Sequence, residues 1–176
     1  MEMMKNFKAG ILLGLLAASV SYSNTYAQAT ATASATAYVI APITITKNVD
    51  MNFGNIAVSA STSGTVILSP SSSRSTGGSG GVTLPATTGT VSAASFTVGG
   101  ASGYSYVITL PSSCTISDGG GHSMTVNSFT SNPSGIGTLS GTTSTLTVGA
   151  TLNVTAAQTP NTYTNSTGVP VTVNYY

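Results

Sequence analysis

The only histidine of the chain, His122, follows Asp118 by four residues in SDGGGHS, and serines are abundant. These residue types are those of acyl transfer, where an acid orients an imidazole that deprotonates a hydroxyl. That relay needs rigid mutual placement, and three consecutive glycines separate this acid from this base, so the reading is a polar turn. Glycoside hydrolysis would need Asp50 and Asp118 as its carboxylate pair, with no third acid after the leader to assist. One His, one Cys and two carboxylates give no recognisable ligand spacing for zinc, and calcium prefers several carboxylates in one loop. Gly77–Gly81, GGSGG, has no following Lys and does not match a phosphate loop. Arg74 reads as a solvated loop charge, Cys114 as a buried small hydrophobe, and Asn153 and Asn165 as weak glycosylation sequons. Neither an enzyme nor a cofactor or metal site is expected.

Composition narrows the partners. Only 4% of the chain is charged, against roughly 25% in ordinary soluble domains, which excludes a basic groove for nucleic acid or a polybasic membrane patch as the main mode of action. Residues 1–27 read as a secretory signal peptide: Lys5 and Lys8 precede the apolar run Ala9–Val20, and Thr25 and Ala27 supply the small residues of a cleavage site. No later segment is long and apolar enough to span a membrane. A mean hydropathy of +0.29 with so few charges argues against disorder. What remains after the leader, about 150 residues, fits one domain.

The elements that would position these residues are strands. From Ala29 to Thr46 every odd position is apolar and most even positions carry a hydroxyl, a period of two. One strand of that length would run about 55 Å, against roughly 17–20 Å for an ordinary one, so part of it must leave the domain, bend or change sheets. Pro42 is the natural break. A turn or bulge is expected at Asn52–Asn55, a strand at Thr65–Ser69, and a loop at SSSRSTGGSG. Short strands follow at Val82–Leu84, Ser95–Val98, Tyr104–Leu110, Met124–Phe129, Ser144–Val148 and Thr151–Val154, and an alternating strand closes the chain after Gly168. No window has helical periodicity with caps. An all-β antiparallel sandwich or barrel is expected, with Val171, Val173 and Tyr175 on one face of the last strand.

The stretches ATAYVIAPITITKNVDMNFGNIAV, SRSTGGSGGVTLP and GATLNVTAAQTPNTYTNSTGVPVTVNYY resemble small secreted bacterial proteins grouped as domain of unknown function 4402. The resemblance is strong at Asn52, Phe53 and Gly54, at Gly149–Val154 and at Val171–Tyr175. More distantly, the layout is similar to chaperone-usher fimbrial subunits and spore-coat U-type proteins. Those share a leader, an alternating N-terminal extension, an Asn-Phe-Gly motif, an immunoglobulin-like sandwich and a penultimate aromatic, here Tyr175. The distant resemblance implies a pilin-like, immunoglobulin-like β-sandwich over residues 42–176 and an extension or donor strand over residues 28–41. It also implies assembly residues at Ala31, Ala33, Ala35, Ala37 and Val39 in the extension and at Val171, Val173 and Tyr175 in the last strand. The expected function is then a non-enzymatic exported structural or adhesive subunit, in the periplasm, at the cell surface or outside the cell. Its partners would be further copies, other envelope or pilus subunits, or a periplasmic chaperone. The alternative is a monomeric exported binding module for a glycan or protein ligand whose first strand folds back into its own sheet.

Overall fold

The computed structural model describes residues 27–176, so the expected leader lies outside the described residues except for Ala27. The chain divides into residues 1–37 and a compact unit from Tyr38 to Tyr176. In the first unit, residues 27–37 are exposed and form no strand. The long strand expected from Ala29 therefore reduces to β1, Thr44–Val49, which begins two residues after Pro42. The physical reason is that alternation only makes a strand possible. A lone strand has no ladder partner, and alanine methyls bury too little to hold one in place.

Eleven further strands complete the second unit: β2 Ala57–Val58, β3 Gly64–Leu68, β4 Arg74–Gly77, β5 Val82–Thr83, β6 Ala94–Gly99, β7 Ser105–Thr109, β8 Ser113–Ser117, β9 Ser123–Asn132, β10 Ile136–Thr138, β11 Thr143–Val154 and β12 Thr172–Tyr175. Every ladder among them is antiparallel, and the described residues contain no helix.

The fold is organised around β11. Thr147 and Val148 pair with both β6 and β9, and Thr151–Asn153 pair with both β3 and β9. Hence β6 and β3 follow one another along one edge of β11 while β9 takes the other. β1 extends this sheet beyond β6, β4 beyond β3, and β8 beyond β9. Leu146, Val148, Ala150, Leu152 and Val154 alternate inward along β11 and serve two cores in turn. The first core lies between the β6 half and the small sheet β10-β7-β12, centred on Phe96, Val98, Tyr106, Leu139 and Leu146. Val173 is buried in it, and Val171 and Tyr175 pack against it, on the face that the alternation assigns. The second core gathers Phe53, Val66, Leu68, Val82, Val126 and Leu152, and irregular chain around residues 51–58 and the short β2–β5 pair supply its other side.

Two expectations change. SSSRSTGGSG contains β4, paired with β3, rather than only a loop. The strands expected at Ser144–Val148 and Thr151–Val154 are one continuous strand.

Candidate functional site

The Asp118–His122 turn is more ordered than its glycines suggest. Asp118 Oδ1 accepts the Gly120 and His122 amides at 2.7 and 3.0 Å, and Oδ2 lies 2.8 Å from His122 Nδ1. The carboxylate side chain is 2% exposed and the imidazole 49%. Although burial works to raise the Asp118 pKa, the His122 ring and the two amides lower it to about 2. No serine hydroxyl bonds the imidazole among the described residues; Ser117 Oγ, at the start of the turn, accepts the Gly119 amide at 3.1 Å. The acid and base do meet, but as the closure of the β8–β9 turn. A carboxylate held below its unfolded value of 3.8 contributes stability above that pH and loses it as pH falls toward 2. Thermal melts between pH 5 and 2 should therefore fall less steeply for Asp118→Asn than for the natural chain.

The other candidates are dispersed. Asp50 pairs with Lys47 at 2.6 Å in an exposed position, and no group of three or more His, Cys, Asp or Glu gathers among the described residues. Arg74 is not the solvated loop charge expected. It sits on β4, and its Nη1 donates to the carbonyls of Phe53 and Asn55 at 2.6 and 2.8 Å, while Nη2 is buried without a partner. The guanidinium thereby ties down the Asn-Phe-Gly turn. Within the turn Asn52 Oδ1 accepts the Gly54 amide at 2.8 Å, and Gly54 has a φ of 71°, a left-handed backbone that glycine adopts freely. Arg74→Met keeps the stem and removes both bonds. It should cost about 1.5–3 kcal/mol in urea titrations, the range for hydrogen bonds to a charged group.

The turn that Arg74 holds is one wall of a cleft of about 1270 Å³. Phe96, Ile116, Val126, Leu152 and Val154, from β6, β8, β9 and β11, line its apolar floor, and Cys114 lies among them, half-buried rather than fully enclosed. Residues 49–58 form one side. Gln158–Val169 forms the other, rich in Thr and Asn. This second wall hangs on the β8–β9 hairpin: Ser117 and Thr164 exchange two backbone bonds at 2.9 Å, and Asn161 Nδ2 lies 3.4 Å from Asp118 Oδ2. It is braced internally by Gln158 Nε2 and the Tyr163 hydroxyl, which meet at 2.9 Å. The chain passes from this wall into β12, which is laddered only to β7 among the described strands.

The assembly residues assigned to the extension are solvent-facing. Ala31, Ala33, Ala35 and Ala37 are exposed, as are Tyr38 at 88% and Val39 at 90%. Sequence reasoning named this segment and the last strand but missed the cleft, Cys114 as one of its lining residues, and Arg74 as the residue that fixes its turn. Their partners lie tens of residues apart and no local pattern links them.

Antiparallel ladders, two cores fed by one long strand and the absence of any helix among the described residues define an all-β, sandwich-like protein. A family model described as Domain of unknown function (DUF4402) matches residues 43–175, and the chain belongs to that family. The match begins at Ile43, after the extension, so the likeness of the earlier ATAYVIAP stretch is not part of it. Compared with curated proteins and with solved structures, the chain finds no match.

Proposed function

We propose that this chain is a non-enzymatic, exported structural subunit that assembles in a fimbria-like manner, residues 28–41 of one copy adding a strand in the cleft of the next. The observation that carries the reading is the coexistence, in one chain, of an alternating exposed segment without a strand partner and an open cleft with an apolar floor. The chemistry matches on both faces. The odd residues, from Ala31 to Val39, suit the half-buried apolar lining of Ile56, Cys114, Ile116 and Met124, and the hydroxyl-bearing even residues suit the wall of threonines and asparagines at positions 158–169. Each buried alanine methyl contributes only about 0.8 kcal/mol, against roughly 1.5–3 for a larger aliphatic side chain. Ladder hydrogen bonds, the usual source of affinity in strand addition, would therefore supply much of the binding. A periplasmic chaperone is the class of partner that would cover such a cleft before assembly.

Cys114 gives the test. Chain beginning near Gln28 should elute as polymer in size-exclusion chromatography, and maleimide labelling of Cys114 should slow as protein concentration rises and clefts fill. A stable monomer whose thiol labels at one rate at all concentrations would contradict donation and leave a binding module for a glycan or protein as the better account.

A further inference from the structure

The aromatic ring of Tyr175 lies edge-on to Tyr104, with centroids 5.8 Å apart and planes at 64°, and packs against the first core. Its hydroxyl reaches past that core. It accepts the Ala101 amide at 2.7 Å and donates to the Ala41 carbonyl at 2.8 Å, across 134 residues of sequence. Gly100 is fitted to it: a Cβ at that position would collide with the phenol oxygen, and its φ is not one that demands glycine. One phenol thus joins the penultimate residue of the chain, the loop after β6 and the last residue of the extension.

We propose that Tyr175 is a positioning residue, a clamp that fixes where the extension leaves the domain and biases it toward a second copy. This deepens the donor reading and rests on it. The direction of the chain explains the bias. β12 starts beside the cleft wall, just after Val169, and runs toward Tyr175. An extension that ends at Ala41, pinned at Tyr175, and lies along β12 of its own copy would run parallel to that strand. Every ladder described in this fold is antiparallel, and parallel pairing is slightly weaker per residue. A second copy has no such tether and can present the extension in either sense.

Two variants test this in the chain beginning near Gln28. Tyr175→Phe keeps the ring and removes both hydrogen bonds; Gly100→Ala attacks the same clamp from the opposite side and displaces the phenol. Tyr175→Phe should melt within a few degrees of the natural chain, whereas Gly100→Ala, whose methyl also comes 2.9 Å from fully buried Leu139 Cδ1, should melt lower. The Ala101 amide should exchange roughly three- to tenfold faster, the factor that one lost hydrogen bond of ordinary strength represents. Backbone heteronuclear relaxation at residues 38–41 should report faster internal motion, and the polymer fraction in sedimentation should fall at least by about the same factor. Unchanged exchange at Ala101 and unchanged relaxation at residues 38–41 would show that there is no clamp. Faster exchange with an undiminished polymer fraction would remove its role in assembly. If the natural chain itself stays monomeric, donation fails, and the assembly role of Tyr175 fails with it, while the exchange data still read the clamp.

Discussion

Gly149→Val is expected to leave no folded domain. Gly149 lies in the middle of β11 where the strand passes from β6 to β3, and it is paired across the other edge with Thr130. The end of β3 crosses directly over it. A Cβ there would run into the Leu68 carbonyl oxygen and lie 2.6 Å from the Ser69 carbonyl carbon and 2.8 Å from the Pro70 nitrogen. These are backbone atoms, which cannot rotate away as a side chain would. Relief requires moving either β11, which feeds both cores, or the end of β3, which carries fully buried Leu68. Displacement on that scale belongs with the mutations that cost more than about 4–5 kcal/mol, against a total stability of about 5–15 kcal/mol. Gly149→Ala should already be severely destabilised. Gly141→Ala is the control, because no atom lies within 4 Å of its added methyl, and it should shift unfolding by no more than about 1 kcal/mol. Chemical denaturation of the three variants checks the contrast; a well-folded Gly149→Val would show that the crossing of β3 over β11 is wrongly drawn.

The same glycine shows what the sequence could and could not convey. It separates two apolar alternations that read naturally as two strands, whereas in three dimensions it lets a second backbone approach one unbroken strand. Strands with a buried face, such as β6 and β7, were legible because their alternation is written in Val, Ile, Phe and Tyr. β4, β8 and β10 were not, since each lies at a sheet edge and is built largely from Ser, Thr and Gly. Alternation at Ala29–Ala41 was equally plain, yet pairing depends on a partner and no residue of the segment specifies one. The cleft is illegible for a related reason: its floor comes from four strands and its walls from segments a hundred residues apart. Arg74 looked like loop because its two carbonyl partners lie 19 and 21 residues earlier.

The second large effect concerns assembly alone. Asp at both Ala33 and Ala35 should abolish polymers, because the odd face would carry two carboxylates onto the half-buried apolar lining of Ile56, Ile116 and Met124, and Lys47 at the edge of the cleft is already paired with Asp50. Desolvating an unpaired charge costs several kcal/mol, and two such costs exceed what a row of alanine methyls can offset. Asp at Thr32 and Ser34 should leave assembly largely intact, since those side chains would face the hydroxyl- and amide-rich side or water. Both double variants should melt like the natural chain, because positions 32–35 are exposed and form no strand in the isolated protein. Sedimentation and thermal melts separate the two quantities. Equal losses of polymer from both pairs would mean that the extension has no buried face.

The most direct measurement of strand donation is a cysteine scan of residues 29–41 against the native thiol of Cys114, which lies in the lining of the cleft. A disulfide forms only when the two Cβ atoms come within about 3.5–4.5 Å. Under mild oxidation the account predicts disulfides between chains, formed from odd positions near one point of the extension and not from the even positions beside them. Bonds within a single chain, bonds formed equally from odd and even positions, or none at any position would contradict it.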